Sequence, residues 1–318
     1  MIFALYGTVR AARLSVKGGK PVVINKLGDS TVNLCLASDN NYAPYLSTML
    51  YSVRCHRNTA QAYDIIILHS GISDENQKSI LSLACDNFTI RFVDVSEIQK
   101  LLEHNIGAHY SAATNYRLLL FSELFCEYEK IIYLDCDMIV LRDVAELFFT
   151  DLGDSPAAAC EDAGLRWLSY TKRAIFIGGT LPYNADNYRT DALGMKHPEG
   201  YFNAGVILFD LNKCRGLFTY EDAVTLLRSK QFNYNDQDTL NILLDGKVKL
   251  IDIAWNYQNI IDALLSAKKP VYSVLFYDMK RENPAIIHYI GGKKPWNAEV
   301  PFGGFYHKYQ SALSKEDT

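Results

Sequence analysis

Ile131-Ile132-Tyr133-Leu134-Asp135-Cys136-Asp137 is an apolar run that ends on two carboxylates at i and i+2. Apolar residues at consecutive positions fit a strand covered on both faces, as in a parallel sheet. Asp135 and Asp137 then leave the strand at its carboxyl end, where open α/β sheets bind ligands. Two carboxylates leaving a buried strand are costly unless something neutralises them. A hard cation such as Mn²⁺ or Mg²⁺ does this with oxygen ligands and commonly keeps substrate phosphates as further ligands. The plainer alternative is a strand-end turn whose carboxylates cap the next element, since Asp-x-Asp alone is a short motif.

The flanking sequence repeats one rhythm. Val32 to Ala37, Asp64 to His69, Phe88 to Val95 and Lys130 to Leu134 read as strands. Between them, Pro44 to Arg57 reads as a helix with proline in its first turn, and Ser73 reads as the cap of a second. Leu118 to Phe125 carries an apolar helix face, and Asp143 looks like the cap of the turn Val144 to Phe149. This βαβα order predicts an α/β fold with a mostly parallel sheet flanked by helices. Phe202 to Leu211 and Ala285 to Tyr289 add two more strands, and Asn235 to Asn241 starts a helix. Residues 161 to 200 are rich in Gly, Tyr, Asn and Pro and are expected to form a functional loop or lid. Residues 1–31 stand apart as an accessory segment. Lys17-Gly18-Gly19-Lys20 would turn a hairpin between Arg13–Val16 and Val22–Ile24. Residues 32–310 form one catalytic domain, and 311–318 a tail.

Composition narrows the function. The 318 residues are 49% hydrophobic with a net charge of −4, so a core is affordable and a nucleic-acid partner is not indicated. Phosphate chemistry must come from a local site. The seven cysteines are widely spaced without Cys-x-x-Cys, which fits free thiols in a cytoplasmic protein. The start Met1-Ile2-Phe3-Ala4-Leu5-Tyr6 fails as a signal peptide, and no apolar run approaches the about 20 residues of a membrane span. Membrane contact is expected to be at most peripheral.

Other residues extend the Asp135/Asp137 site. His288 ends a short apolar strand and precedes Gly291-Gly292-Lys293-Lys294. Glycines let backbone approach an anion, and lysine adds charge, so the segment suits a diphosphate. Asp39, Asn41 and Tyr42 follow the first strand and would suit a base and ribose; the plainer reading is a capping turn before Pro44. Asn203 inside an apolar run needs a polar partner, and Asp236-Gln237 could face a ligand from a helix start, or Asp236 could simply cap it.

Taken together and in order, these segments resemble family 8 glycosyltransferases, which are retaining nucleotide-diphospho-sugar enzymes. The likeness rests on Leu36-Ala37-Ser38-Asp39-Asn40-Asn41-Tyr42, Tyr133-Leu134-Asp135-Cys136-Asp137, Phe202-Asn203-Ala204-Gly205-Val206, Asn235 to Asn241 and His288 to Trp296. It covers about residues 32 to 310. The resemblance implies the nucleotide-sugar-binding A-type fold with a smaller acceptor-side region, a UDP-sugar donor and Mn²⁺, with Mg²⁺ as an alternative. It implies Asp135, Asp137 and His288 as metal ligands. Ala37, Asp39, Asn41 and Tyr42 would meet the uridine, Gly291 and Lys294 the phosphates, and Arg117 and Asn203 the donor. Asp236 and Gln237 would stand at the reacting sugar. The implied reaction moves glucose or galactose to a hydroxyl of a glycan or glycoconjugate. A glycogenin-like self-glucosylating protein, on a tyrosine such as Tyr183 or Tyr188, is one alternative. A haloacid-dehalogenase-type phosphatase is another, although it expects Thr or Val where this chain has Ile139.

Overall fold

A computed structural model describes residues 11–15, 23–102, 112–175 and 183–316. Its strands are β1 (Ala11–Ser15), β2 (Val32–Ser38), β3 (Tyr63–His69), β4 (Phe88–Asp94), β5 (Lys130–Leu134), β6 (Met138–Val140), β7 (Ala157–Glu161), β8 (Phe202–Asp210), β9 (Lys249–Leu250), β10 (Tyr257–Gln258) and β11 (Ile286–His288). Eight of them form one sheet in the order β1-β4-β3-β2-β5-β8-β7-β9. Only the β5–β8 and β8–β7 pairings are antiparallel. The others in that sheet are parallel, as the βαβα rhythm predicts.

The unbroken apolar runs have a direct cause. Alternate residues of a strand point to opposite faces, and here both faces are covered. Leu34, Leu36, Ile65 and Ile67 pack on one side with Met49, Leu50 and Tyr306. Cys35, Ala37, Ile66 and Leu68 pack on the other with Leu118, Leu119 and Leu240. The first side belongs to the helices Ala43–His56 and Gly303–Glu316. The second belongs to the 3₁₀ turns Ala112–Phe121 and the helix Asn235–Leu243. The expected caps are formed: Ser73 accepts from Asn76 N, and Asp143 accepts from Ala145 N at 2.9 Å.

Three expectations about segments change. Ala11–Ser15 is not a hairpin arm but pairs in parallel with β4, and Val23 and Ile24 lie outside any strand. The proposed turn, Lys17 to Lys20, lies outside the described residues. The tail boundary at 311 falls inside the helix Gly303–Glu316, whose end is tied down by a hydrogen bond from Tyr51 Oη to Glu316 Oε1 at 2.8 Å. Residues 161–200 are not an irregular loop throughout. Ala163–Thr171 is a helix, because the Asp162 side chain caps it by accepting from Leu165 N. Among the described residues, no helix is long and apolar enough to cross a membrane.

One buried ion pair ties β3 to β4 under the N-terminal segment. Arg91 Nε donates to Asp64 Oδ1 at 2.8 Å, Tyr128 Oη donates to Asp64 Oδ2 at 2.8 Å, and Arg91 Nη1 donates to Asn25 O at 2.9 Å. Removing one partner of such a pair leaves the other charge buried and unpaired. Arg91→Ala should therefore cost about 3–5 kcal/mol in urea unfolding, and Asp64→Leu combined with Arg91→Leu should recover most of that loss.

Candidate active site

The site is assembled where four chain segments meet at one end of the sheet. β2 and β5 are parallel neighbours, with Leu36 opposite Leu134, so Ala37-Ser38-Asp39 and Asp135-Cys136-Asp137 leave the sheet side by side. Cys136 Sγ donates to Ala37 O at 3.1 Å and binds the two exits together. β8 runs antiparallel to β5, which brings its first residues, Asn203 to Gly205, to the same end. Asp135 N donates to Gly205 O at 2.9 Å. β6 then turns away and pairs antiparallel with β11 in a second sheet of three strands, placing His288 opposite Met138. A cavity of about 700 Å³ lies over this junction.

Asp135, Asp137 and His288 offer ligand atoms that all lie within 4.8 Å of one another. His288 Nε2 is 3.2 Å from Asp137 Oδ1 and 3.8 Å from Asp135 Oδ2. Its other nitrogen, Nδ1, is 2.8 Å from Asn256 Oδ1. An oxygen acceptor there puts the ring hydrogen on Nδ1, which leaves the Nε2 lone pair for a cation. Two carboxylates and one imidazole nitrogen are a donor set that suits Mn²⁺ or Mg²⁺, so the residues fit the metal that the resemblance implies. Gly205 makes the room: a Cβ on it would stand 2.4 Å from His288 Cε1 and 2.9 Å from the Met138 methyl.

Charge in the cluster is partly offset by cations from the chain. Arg117 Nη2 donates to Asp135 Oδ1 at 2.9 Å, and the guanidinium lies over the Tyr133 ring. Lys294 Nζ is ion-paired with Asp137 and donates to Tyr289 O at 2.5 Å. Burial works to raise the Asp137 pKa, but Lys294 and His288 outweigh it and hold the carboxyl well below its usual range. Burial likewise disfavours the charge on Arg117, yet Asp135 and Asp236 raise its pKa above the usual value. Gly291, in the loop before Lys294, has φ +80°, a backbone conformation that favours glycine.

At one end of the cavity, Asp39 Oδ1 accepts from Asn41 N at 2.9 Å and Tyr42 N at 3.0 Å. Asp39 therefore closes a turn just ahead of the helix Ala43–His56, whose own start has no side-chain cap, and Asp39 lines the cavity, as do Ala37 and Tyr42. Asn41 does not line it and is exposed, because its side chain leaves the turn on the solvent side. Tyr42 stands edge-on to Trp296 at 5.9 Å, and Tyr45 stacks on Trp296 at 3.8 Å. Burial pushes the Tyr42 hydroxyl up to about 12.

At the other end, Asn203, Asp236 and Gln237 line the cavity with Asp162 and Trp167. Arg117 Nε is 2.6 Å from Asp236 Oδ2, but it aims its hydrogen at Thr114 O. That oxygen of Asp236 thus has an ionic partner and no hydrogen-bond donor. Burial pushes the Asp236 carboxyl up to about 6 despite Arg117. Asp236 does not cap the helix; Asp238 Oδ2 accepts from Tyr234 N at 2.8 Å instead. Gln237 is held at both ends of its amide. Its Oε1 accepts from Ala204 N at 3.0 Å, and its Nε2 donates to Asp162 Oδ2 and Tyr201 Oη, each at 3.1 Å.

The sequence reading missed Asp162, Tyr201, Asn256 and Trp296 as parts of the site. Asp162 carried a usable signal, since Asp before a helical pattern is a cap. Asn256 carried none.

Comparison with known proteins agrees with this geometry. A family model, glycosyl transferase family 8, matches residues 33–299. The chain belongs to that family, and its fold is the A-type glycosyltransferase fold. It is 26% identical over 292 residues to general stress protein A of Bacillus subtilis (strain 168), covering 89% of this chain and 94% of that protein. It is 26% identical over 271 residues to the lipopolysaccharide 1,2-glucosyltransferase of Escherichia coli (strain K12), covering 84% of this chain and 73% of that protein. Among solved structures it resembles the galactosyltransferase LgtC in complex with donor and acceptor sugar analogs. That match has a TM-score of 0.69 at 27% identity and covers 89% of this chain and 96% of LgtC. Family membership removes the phosphatase alternative.

Crowding at Gly205 can be tested directly. Gly205→Ala should cost about 1–3 kcal/mol of stability through overpacking against His288. Gly292→Ala, whose Cβ would meet nothing within 4 Å, should stay within about 0.5 kcal/mol of the parent in the same thermal unfolding measurement.

Proposed function

We propose that this protein is a retaining hexosyltransferase that moves glucose or galactose from a UDP-sugar to a hydroxyl of a glycan or glycoconjugate, with Mn²⁺. The observation that carries this reading is the convergence of Asp135, Asp137 and His288 in one cavity with Lys294 and Gly291. The names of the relatives, a glucosyltransferase and a galactosyltransferase, support a hexose as the transferred group.

Asp135, Asp137 and His288 would hold the cation, which when bound neutralises charge developing on the leaving diphosphate. Lys294, now paired with Asp137, lies within the same cavity and would add its charge to a phosphate oxygen. Ala37, Asp39 and Tyr42 would receive the uridine. Arg117 and Asn203 would orient the donor, and Asp162 would join them. In the transfer, the bond from the anomeric carbon to the diphosphate oxygen breaks and a bond to the acceptor oxygen forms. The acceptor proton passes to the diphosphate oxygen.

Retention by same-face attack is favoured over a covalent intermediate. Gln237 is a neutral amide whose oxygen already accepts from Ala204 N. Asp236, the better nucleophile of the two, is ion-paired with the Arg117 guanidinium, which offsets part of the basicity that burial gives it. A glycosyl-enzyme trapped on either residue would overturn this preference.

The seven free thiols support a cytoplasmic location. Self-glucosylation is disfavoured at Tyr188, which is buried and hydrogen-bonded to Asp238. The non-catalytic alternative is a protein that binds the sugar nucleotide without turning it over.

Incubation with Mn²⁺ and a panel of UDP-, GDP- and TDP-sugars should release UDP from UDP-glucose or UDP-galactose. Asp137→Asn should abolish the release, and mass spectrometry of the same mixtures should find no hexose on the protein. Unchanged release by Asp137→Asn would refute the metal assignment, and donor binding without release would favour the non-catalytic reading.

A further inference from the structure

A chain of buried amides runs behind the site and ends on His288. Asp162 Oδ2 accepts from Asn203 Nδ2 at 2.9 Å. Asn203 Oδ1 accepts from Gly205 N at 3.0 Å and from Asn256 Nδ2 at 2.8 Å. Asn256 Oδ1 faces His288 Nδ1 at 2.8 Å. All four side chains are buried. They come from the cap of a helix, the start of β8, the 3₁₀ turn Ile253–Asn256 and the end of β11.

The direction of every bond in this chain is forced. A backbone N–H can only donate, so Gly205 fixes the Asn203 atom facing it as the carbonyl oxygen. The Asn203 amide nitrogen must then face Asp162, an acceptor that suits it. Asn256 meets the same Asn203 oxygen and must offer its own nitrogen. Its carbonyl oxygen is left for the imidazole, which must therefore carry its hydrogen on Nδ1. Nε2 is then the ring nitrogen left to a cation, and it stands 3.2 Å from Asp137 Oδ1 and 3.8 Å from Asp135 Oδ2.

We infer that Asn256 is a positioning residue for the metal centre, which holds the His288 ring in the Nδ1–H form and so presents Nε2 to the cation. This inference rests on the metal reading above and adds to it a residue that touches neither the cation nor the substrate. Because Asp162 and Asn203 also line the cavity beside Gln237, the chain links the sugar end of the site to the imidazole. Partners behind a metal-bound histidine fix its tautomer and orientation, and their loss typically costs about 10- to 100-fold in metal affinity.

The test compares two substitutions by Mn²⁺ titration, followed by electron paramagnetic resonance of free Mn²⁺, with thermal unfolding of the same samples. Asn256→Leu keeps the volume but removes the acceptor, and should weaken Mn²⁺ binding about 10- to 100-fold. Asn256→Asp keeps an acceptor for Nδ1 and sets a second carboxylate oxygen against Asn203 Oδ1. It should melt at a lower temperature than the parent while binding Mn²⁺ at least as well as the parent does. A purely structural role predicts that affinity follows the melting temperature in both variants, and that result would overturn the inference. Parent-like Mn²⁺ affinity in Asn256→Leu would also overturn it. Asp137→Asn is the control: if it binds Mn²⁺ like the parent, the metal reading itself fails, whereas its failure to bind alongside a parent-like Asn256→Leu sinks only the role of Asn256.

Discussion

Two carboxylates, Asp135 and Asp137, must be kept half-buried at the end of a strand that is apolar on both faces. That requirement explains most of what surrounds them. Charges removed from water need partners close by. The chain supplies Arg117 to Asp135 and Lys294 to Asp137, and it sets His288 Nε2 beside both acids. The arginine also faces Asp236, so one guanidinium serves two acids from different parts of the chain. The arrangement is balanced enough to fold and still open on the side where a cation and a diphosphate would enter.

The backbone makes this possible by changing sheets. β5 delivers the carboxylates from the large sheet, and β6 continues into the small one, where its antiparallel partner carries His288. β8 lies against β5 on the other side and contributes Gly205, whose missing side chain is filled by the imidazole. Residues far apart in sequence therefore meet with little freedom left to them. The same crossing explains why so many polar groups behind the site are buried and yet hydrogen-bonded, since they connect two sheets that share one ligand cleft.

Much of this was legible in the sequence, for identifiable reasons. Parallel strands buried on both faces read as unbroken apolar runs, so β2, β3, β4 and β5 were placed almost residue for residue. The caps Ser73 and Asp143 follow from local hydrogen bonding alone and were read correctly. Asp135, Asp137, His288 and Lys294 stood out because charged or ligating residues interrupt or end apolar segments, and the structure brings all four together. The failures have physical causes too. Arg13–Val16 reads as extended, but its partner is β4, far along the chain, and no local pattern records that pairing. The helix after Asp162 lies within a stretch rich in turn-forming residues, which hid its cap. Asn41 sits one residue from the cavity wall, and the turn that Asp39 caps points it outward. The Asn256 side chain bonds to two residues from other segments, Asn203 and His288, and no spacing in one chain records such a connection.

The central claim is that Asp135, Asp137 and His288 form one cation site that a donor diphosphate completes. Anomalous scattering at the manganese edge, from crystals grown with Mn²⁺ and UDP, tests it most directly. The account predicts a single strong peak bounded by the two carboxylates and His288 Nε2, with the diphosphate of UDP against its open side. UDP bound in the cavity with no manganese peak among these three side chains would contradict it.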